Sequence, residues 1–390
     1  MNISTVKNCY GCGVCVIACS KKIIKLVMGK QGFYEPVIKD EAKCTNCGLC
    51  MDVCSYYHPD LVLNLQPLKS FGAWSKEESI RRICSSGGVG FEIGRSLLNK
   101  GYKVIGVRYN IEKERAEHYI ATTAQELLAS CGSKYIQSYT SKAFSNINRK
   151  EKYLITGTPC QIDSFRRYIK KFRCENNFIL MDFFCHGVPS MLIWHKYLGY
   201  IKSKIGTPSF VAWRSKQNGW HDSWTMSFDS ENLKGDTIDW HDSYNLLIRK
   251  KKGYISSRWT QGDFFYNMFL GNNCLGKACY NKCKFKYNHS SADIRIGDMW
   301  GNTYKNESKG VTACVAFTDK GLEILHSIKC ELREFPFNIV AEGQMQTSVK
   351  SRKVAWNILI YLSRIHWISM STLSLVNRIL NKIYRITERI

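Results

Sequence analysis

The chain carries two copies of one cysteine pattern near its start: CYGCGVCVIAC at residues 9–19 and CTNCGLCMDVC at residues 44–54. Each copy reads C-x2-C-x2-C-x3-C, the spacing with which two-cluster ferredoxins bind [4Fe–4S] clusters. In such proteins the fourth cysteine of each copy binds the other cluster, so the pattern predicts two clusters with crossed ligands. The predicted ligands of the first cluster are Cys9, Cys12, Cys15 and Cys54, and those of the second are Cys44, Cys47, Cys50 and Cys19.

Two other interpretations of this pattern, a zinc site and a disulfide framework, are weaker. Zinc sites usually separate their cysteine pairs by a longer loop than these triplets allow. The proline that usually follows the fourth cysteine is replaced by Ser20 and Ser55, but it shapes a turn and is not a ligand. Residues 1–65 contain few large apolar side chains, so we expect an α+β ferredoxin-like lobe that folds around its clusters.

The composition limits what the rest of the chain can be. Its 390 residues are 44% hydrophobic, enough for two or three packed domains. A net charge of +24 indicates an anionic partner, such as a nucleotide, an acidic substrate or a membrane surface. Eighteen cysteines without a signal-peptide-like start favour metal-binding thiols in the cytoplasm over secreted disulfides. Uncharged stretches stay below the roughly 18 residues that a spanning helix needs.

After the lobe, strand and helix patterns alternate, which favours an α/β body with largely parallel strands. We interpret residues 66–75 as a linker. The predicted strands are 103–109, 153–156, 178–184, 292–301 and 313–318, and the predicted helices are 89–99, 161–171 (after a turn at 157–160) and 320–329. The predicted domains are 1–65, 66–175, 176–340 and 341–390. Because turns after parallel strands gather at one sheet edge, Cys160 and Cys185 should meet there.

Two glycine-bearing turns are candidate sites for a cofactor pyrophosphate. The first turn is Ser85, Ser86, Gly87 and Gly88, and the second is Gly157, Thr158 and Pro159. Each opens a predicted helix, whose N-terminus offers free N–H groups and a positive dipole end. Neither turn is a GxGxxG fingerprint, so ordinary capped turns are the alternative. Lys134 could place positive charge against the phosphates, or be a surface lysine.

The remaining cysteines form a less regular third group and several isolated thiols. The third group is Cys274, Cys279 and Cys283. The isolated ones, interpreted as core or surface thiols, are Cys84, Cys131, Cys174, Cys314 and Cys330.

Several of these segments together carry a family resemblance. In chain order they are SSGG at 85–88, GSKY at 132–135, GTPCQI at 157–162, DFFCHGVPS at 182–190, the segment with Cys279 and Cys283, and ADIRIGDMWG at 292–301. Over residues 1 to about 340 the chain resembles the beta-subunit family of coenzyme F420 hydrogenases and dehydrogenases, in the form with a fused two-cluster ferredoxin lobe.

The resemblance implies an iron–sulfur flavoprotein oxidoreductase. FAD would bind in the α/β body beside a third [4Fe–4S] cluster. The expected third-cluster ligands are Cys160, Cys185, Cys279 and Cys283, with Cys274 in reserve. The family's usual C-x2-C pair is lengthened here by one residue, to Cys279-Tyr-Asn-Lys-Cys283.

The resemblance also implies a reaction, though not its substrate. Electrons would pass between the clusters and the flavin, and a hydride between the flavin and an unidentified small-molecule or lipid-linked substrate. His186 could assist proton transfer, or be a packed histidine. A redox partner protein or reduced carrier is expected, and similar chains are associated with surface polysaccharide biosynthesis.

The last forty residues predict a basic amphipathic helical tail. Its basic face comprises Arg378, Lys382, Arg385 and Arg389, and its apolar face comprises Val376, Ile379, Leu380, Ile383 and Ile390. Such a helix is expected on an anionic membrane surface, here the inner face, which would make the protein peripheral. The alternative is a helix packed on the protein's own body.

Three other functions compete with the flavoprotein. The chain could be an electron carrier or scaffold without flavin chemistry. It could be a thiol enzyme, using Cys160 at a helix start or Cys185 beside His186. Nucleic-acid binding is suggested by the basic run 249–252 and by four tryptophans, Trp213, Trp220, Trp224 and Trp240. No recognition motif accompanies them, so no nucleic-acid partner is expected.

Overall fold

The structure, a computed structural model, describes residues 1–230, 254–280 and 282–387. The basic run 249–252, Trp240, Arg389 and Ile390 lie outside the described residues, as does Asn281 between two of the predicted ligands. The strands are β1 (Ile24–Met28), β2 (Tyr34–Ile38), β3 (Lys69–Ser75), β4 (Lys103–Asn110), β5 (Arg115–Ala121), β6 (Ser138–Tyr139), β7 (Tyr153–Thr156), β8 (Phe178–Phe183), β9 (Phe210–Ala212), β10 (Thr225–Asp229), β11 (Tyr254–Arg258), β12 (Ile294–Asp298), β13 (Thr312–Ala316) and β14 (Cys330–Glu334).

The helices confirm several predicted bounds. They are α1 (Val14–Ala18), α2 (Leu49–Asp52), α3 (Glu78–Ile83), α4 (Val89–Asn99), α5 (Ala124–Leu127), α6 (Ser141–Ser145), α7 (Pro159–Lys171), α8 (Met191–Ile205), α9 (Phe264–Phe269), α10 (Lys277–Tyr280), α11 (Asp319–Ser327), α12 (Phe337–Val340), α13 (Lys353–Arg364) and α14 (Met370–Thr387). Helix α4 begins and ends where the sequence pattern predicts, whereas α7 ends as predicted but begins two residues early, because Pro159 takes the first helical position instead of a place in the turn.

The body is built on one nine-stranded sheet with the order β14-β3-β13-β12-β8-β7-β4-β5-β6. The four central strands β12, β8, β7 and β4 run parallel, as the alternation of strands and helices predicts. The flanking pairs β4–β5, β12–β13, β13–β3 and β14–β3 are antiparallel. The sheet is therefore parallel mainly in its centre, where the turns after β7 and β8 reach the same edge.

The predicted linker is wrong over residues 69–75, which form β3. This strand pairs with β13 on one side and β14 on the other, and Phe71 and Ala73 are buried. The segment interpreted as a linker contains Pro67 and Gly72. Gly72 is instead a close-packing position, because a Cβ there would lie 2.7 Å from Met299 Sδ.

The single sheet also bears on the predicted division at residue 175. Strands β3 to β7 precede that residue, and β8 and β12 to β14 follow it. The predicted domain boundary at residue 175 therefore falls within a single sheet, and it does not separate two sheets.

The ferredoxin lobe, residues 1–65, has a β1–β2 hairpin and two short helices, α1 and α2. Its small core includes three cysteines, Cys15, Cys50 and Cys54. A second set of its side chains, Val14, Ala18 and Val53, packs into the body's core beside Phe144 and Phe165. The lobe therefore has few apolar side chains of its own and is completed by the body.

The tail forms two helices, α13 and α14, that pack on α8. Trp356, Leu359 and Leu373 are buried in the same core as α8 and α9. Asn273 Nδ2 donates hydrogen bonds to Asn377 Oδ1 at 2.7 Å and to Asn381 Oδ1 at 2.8 Å. One face of the tail therefore packs on the body, as the alternative interpretation held. Among the described residues, no helix combines the length and apolar character needed to cross a membrane.

Candidate functional site

The four cysteines predicted to share the first cluster line one small cavity in the lobe. They are Cys9, Cys12, Cys15 and Cys54. Burial raises the pKa of the Cys9 thiol to about 12 and that of the Cys54 thiol to about 11. Such thiols release their protons readily only to a metal that compensates the thiolate charge. The structure therefore places Cys54 with the first triplet, in the crossed grouping that the spacing predicts.

The second group joins Cys19 to the second triplet. Burial raises the pKa of the Cys50 thiol, and the neighbouring charges of Cys47 and Cys19 raise it further. Asn2 Nδ2 donates a 3.5 Å hydrogen bond to Cys44 Sγ. Both crossed sets are thus brought together by the fold.

The interpretation of these groups as cluster ligands rests on their C-x2-C-x2-C-x3-C spacing. Within the described residues, no three His, Cys, Asp or Glu side chains converge closely enough to hold one metal ion. A zinc ion needs four ligands at about 2.0–2.3 Å from one point. A [4Fe–4S] cube places its thiolates further apart, because each binds a different iron.

Ser55, which replaces the usual proline, connects the lobe to the body. Its backbone N–H donates to Ser164 Oγ at 3.1 Å, and Ser164 Oγ lies 2.9 Å from Ser55 Oγ. Ser55 Oγ also donates to the carbonyl oxygen of Cys160 at 3.1 Å. A proline has no N–H to donate, so the departure from the ferredoxin pattern serves this contact with α7.

The four cysteines expected to bind a third cluster line a cavity of about 510 Å³ at the sheet edge. The cysteines on its wall include Cys160, Cys185, Cys279 and Cys283. Burial raises the pKa of the Cys279 thiol to about 12, and the charges of Cys185 and Cys283 raise it further. Cys274 lies instead in the apolar core with α8 and α9, so the structure does not support it as the reserve ligand.

Tyr10 and Cys160 lie between this cavity and the first cluster's cavity. Tyr10 lines both cavities, and its hydroxyl donates to the carbonyl oxygen of Lys282 at 2.5 Å. Burial raises the pKa of Cys160, and among the thiol charges that raise it further is that of Cys12. The first and third groups are therefore neighbours in the fold.

The first glycine-bearing turn reaches the cavity, as predicted, except for Gly87. Ser85, Ser86 and Gly88 line it, together with the first residues of α4. Gly87 instead packs beneath: its N–H donates to Thr312 Oγ1 at 2.9 Å, and a Cβ would lie 2.3 Å from the carbonyl oxygen of Ala73. Gly87 therefore packs against β3 and β13 and does not face the cavity, so the prediction that it binds the cofactor pyrophosphate is wrong. The N–H groups of the first turn of α4 have no partner within the helix.

The second turn also lines the cavity, but its N–H groups are already used. Gly157 N donates to the carbonyl oxygen of Met181 at 3.2 Å. Thr158 N donates to Gln161 Oε1 at 2.9 Å, and Pro159 has none. Gly157, Thr158 and Pro159 can therefore shape the wall but do not offer the free N–H groups expected of them.

Lys134 lines the cavity, but its ammonium group is directed to backbone oxygens. Nζ lies within 3.2 Å of four successive carbonyl oxygens, those of residues 129–132. Burial lowers its pKa to about 8. The prediction that Lys134 places its charge next to cofactor phosphates is therefore corrected. Its ammonium group instead holds together the loop of residues 129–132.

His186 is held on the cavity wall. Its Nε2 lies 2.7 Å from Asn272 Oδ1, and its ring packs edge-on against Phe269. Burial lowers its pKa, and the nearby charge of Lys286 lowers it further. The imidazole is therefore neutral near pH 7, and its role in proton transfer stays a prediction.

The comparisons with known proteins agree with this arrangement. The model of the coenzyme F420 hydrogenase/dehydrogenase beta subunit N-terminus matches residues 70–145, and that of its C-terminus matches residues 150–334. The chain belongs to this family. A 4Fe-4S dicluster domain matches residues 8–57, which identifies the lobe as an iron–sulfur electron-transfer domain.

Among solved structures, the chain is similar to one from the F420-reducing [NiFe] hydrogenase complex of Methanosarcina barkeri, studied by xenon derivatisation. The two are 13% identical, with 82% of this chain and 93% of that chain covered, and a TM-score of 0.47. A search of curated proteins found no match.

In this member of the F420 hydrogenase/dehydrogenase beta-subunit family, one end of the cavity is aromatic. Tyr135 stacks on Trp224 with ring centroids 4.9 Å apart, and Trp300 also lines the wall. Arg214, almost fully buried, donates to Asp298 Oδ2 at 3.0 Å and to Tyr135 Oη at 3.1 Å. Sequence reasoning missed this end, because its members lie far apart in the chain with no spacing signal.

The thiol-enzyme alternative is not supported by the electrostatics. A catalytic thiolate needs a lowered pKa. Burial instead raises the pKa of both Cys160 and Cys185.

The tryptophans invoked for nucleic-acid stacking are mostly buried. Trp213 and Trp220 lie in the core, and Trp224 is partly buried against Tyr135.

Proposed function

We propose that this protein is an iron–sulfur flavoprotein oxidoreductase in which electrons pass between the lobe's clusters and FAD in the large cavity. The observation that carries the proposal is the adjacency of the sites: Cys12 neighbours Cys160, and Cys160 lines the same cavity as the N-terminus of α4. A third [4Fe–4S] cluster on Cys160, Cys185, Cys279 and Cys283 would stand between the lobe and the flavin.

The cavity has the character that a dinucleotide flavin needs. Its volume of about 510 Å³ lies within the usual range for ligand sites. Ser85, Ser86 and the N-terminus of α4 would hold the pyrophosphate, since a helix N-terminus attracts anions. Flavin, when bound, couples one-electron clusters to two-electron hydride chemistry.

The substrate side of the proposal rests on the aromatic end. Tyr135, Trp224 and Trp300 offer flat apolar surfaces, and His186 can exchange a proton from a fixed position. The proposed substrate is a small-molecule or lipid-linked compound, in keeping with a role in surface polysaccharide biosynthesis. A redox partner protein or carrier would approach the lobe.

A paired substitution on α4 tests flavin binding. Gly88, with φ of +87°, opens the helix at the cavity, and Gly101, with φ of +79°, follows its other end. Gly88→Val should abolish flavin binding, because a β-branched residue does not hold a φ of +87° without shifting the first turn of α4 at the cavity. Gly101→Val introduces similar backbone strain away from the cavity and should retain flavin.

The readout is acid-released cofactor, identified as FAD, together with iron content. Retention of FAD by Gly88→Val would contradict the proposed site. An iron-loaded wild type that neither retains nor takes up flavin would favour the second candidate, an electron carrier without flavin chemistry.

We further propose that the tail docks on an anionic membrane. Along α14, Leu375, Ile379 and Ile386 are 59%, 52% and 55% exposed, and they form one line on the helix. Val376 and Leu380, predicted on the same apolar face, pack against the body instead. Arg378, Lys382 and Arg385 border the exposed line, a charge pattern that suits anionic lipid.

Trp367 extends this surface at the turn between the helices, where its side chain is 79% exposed. Deleting the tail would remove the buried Trp356 and Leu373 and expose the apolar core of α8 and α9 on which they pack, so point substitutions are the better test. The double variant Leu375→Ser and Ile379→Ser should weaken flotation with phosphatidylglycerol vesicles by at least about tenfold, because two apolar side chains no longer insert. Leu68→Ser, an exposed leucine outside the tail, is the control. If the double variant floats with the vesicles as well as the wild type does, the proposal is contradicted.

A further inference from the structure

Two cysteines without any spacing signal meet on the wall of the large cavity. Cys84 Sγ and Cys131 Sγ lie 3.8 Å apart in hydrogen-bond contact, and both residues line the cavity. They are separated by more than forty residues of sequence, so only the fold brings them together. Closing the gap from 3.8 Å to the roughly 2.0 Å of a disulfide needs a modest movement of the two sulfurs.

The two segments that carry these cysteines are already held in register. Ser133 N donates to Ser85 Oγ at 2.8 Å, and the two serine hydroxyls lie 3.1 Å apart. Each cysteine also ends a helical element: Cys84 caps α3, and Cys131 caps the short 3-10 helix Leu128–Ser130. Such positions let the backbone adjust without breaking a helix.

Two lysine ammonium groups lie beside the pair. Lys134 Nζ donates to the carbonyl oxygen of Cys131 at 2.9 Å, and Lys216 Nζ donates to that of Ser86 at 2.6 Å. The hydrogen bond with Cys131 lowers the pKa of Cys84, and the charges of Lys216 and Lys134 lower it further against the effect of burial. Positive surroundings of this kind are typical of reactive cysteines.

We propose that Cys84 and Cys131 form a redox-active dithiol that exchanges two electrons with the flavin of the cavity. The inference rests on the proposed flavin site. On oxidation two S–H bonds break and one S–S bond forms, with the release of two electrons and two protons. The pair gives both electrons and one proton to an oxidised flavin, and the second proton to solvent. The reverse reaction regenerates the dithiol.

The first test measures the disulfide itself and does not depend on flavin. The full-length, iron-loaded protein is equilibrated anaerobically with reduced and oxidised dithiothreitol at set ratios. It is then quenched in acid, unfolded and alkylated, and its peptides are analysed by mass spectrometry. Cys84 and Cys131 should convert together, reversibly, into one linked peptide pair that is lighter by two hydrogens.

Cys174 provides the matched control, since it is a half-buried thiol outside the cavity. Its peptide should stay unlinked at every ratio, and Cys174→Ser should leave the Cys84–Cys131 pair unchanged. If Cys84 and Cys131 remain two free thiols even in fully oxidised dithiothreitol, the proposal is overturned. The linked peptides are measured in the wild-type protein, so the result does not depend on whether a substituted protein folds.

The second test counts electrons in the FAD-loaded, oxidised protein. Anaerobic titration with dithionite should consume two more electrons per chain in the wild type, and in Cys174→Ser, than in Cys131→Ser. Equal consumption would show that the pair does not exchange electrons with the protein's cofactors, and would overturn the proposal. Failure of the proposed function is detected separately, as the absence of FAD from the acid extract. Without FAD, the dithiol would lack the flavin with which it is proposed to exchange electrons.

Discussion

The lobe and the large cavity gather their cysteines by opposite means. In the lobe, two local motifs supply eight ligands, and the cysteines form part of a small core that the body completes. Around the cavity, Cys160 comes from α7, Cys185 from the loop after β8, and Cys279 from α10. The lobe therefore depends on its clusters for its core, whereas the cavity depends on the sheet to bring its cysteines together.

This difference predicts different responses to damage. Loss of a lobe cysteine should remove both a ligand and a piece of core. Loss of a contact between strands of the body should separate the cysteines that line the large cavity, while the lobe keeps its clusters.

The largest effect is expected from Cys15→Ala. Cys15 is buried in the lobe core and lines the first cluster's cavity. The variant should lose at least one cluster, about four irons per chain, and residues 1–65 should become sensitive to protease. Iron analysis and limited proteolysis measure this, with Cys174→Ala as control. A protease-resistant lobe with full iron would show that the lobe does not depend on that cluster.

A somewhat smaller effect is expected from Asp182→Asn in the body. Asp182 on β8 and Arg295 on β12 are fully buried and joined by two hydrogen bonds of 2.8 and 2.7 Å. Removing one charge leaves the other unpaired, at a cost of about 3–5 kcal/mol in unfolding free energy. Denaturant unfolding measures the cost, and iron analysis should show the lobe's clusters retained.

The exposed pair of Glu78 and Lys309 provides the control for that variant. Glu78→Gln should change the free energy by less than about 1 kcal/mol. If the two variants behave alike, the buried pair does not hold the centre of the sheet together.

Acid should loosen the body through His118. Burial lowers the pKa of this histidine to about 4, and its Nε2 lies 3.1 Å from the carbonyl oxygen of Thr156. The folded state binds fewer protons than the unfolded state between about pH 6.5 and 4, so stability falls as the pH falls through this window, by up to about 3 kcal/mol in all.

Amide hydrogen exchange of β5 and β7 at pH 6.5 and pH 5 measures this loss. In His118→Gln the amide group can keep the hydrogen bond to Thr156 without titrating, so the difference between the two pH values should shrink. If hydrogen exchange in His118→Gln depends on pH as it does in the wild type, the acid sensitivity arises from groups other than His118.

The smallest effect concerns the contact between the two regions. Ser55→Pro restores the usual ferredoxin residue but removes the N–H that donates to Ser164 and the hydroxyl that bonds Ser164 and the carbonyl oxygen of Cys160. We expect a loss of about 1–3 kcal/mol, because a buried acceptor loses its donor. Ser20→Pro is the matched control, since Ser20 occupies the same place in the other motif and is exposed. Thermal unfolding should separate the two variants, and equal melting temperatures would contradict this role of Ser55.

The sequence predicted those parts of the molecule that local spacing determines. The ferredoxin motifs, the bounds of α4 and the end of α7 follow from periodic patterns and from helix starts such as Gly88. The placement of Cys160 and Cys185 at one edge followed from the rule for parallel strands.

What the sequence did not show depends on long-range packing. β3 is an interior strand, second from the edge of the sheet, only because β13 and β14 flank it. Gly87 and Lys134 stood in promising motifs, but their N–H and ammonium groups are satisfied by Thr312 and by nearby carbonyls. The meeting of Cys84 and Cys131 has no counterpart in spacing at all.

The most direct test of the account is the iron and flavin content of anaerobically reconstituted wild type beside Cys279→Ser. The account predicts about twelve irons and one FAD in the wild type, and about eight irons in the variant, with the lobe's clusters intact. A wild type that never exceeds about eight irons, or a variant with the same iron content as wild type, would contradict a third cluster between the lobe and the flavin.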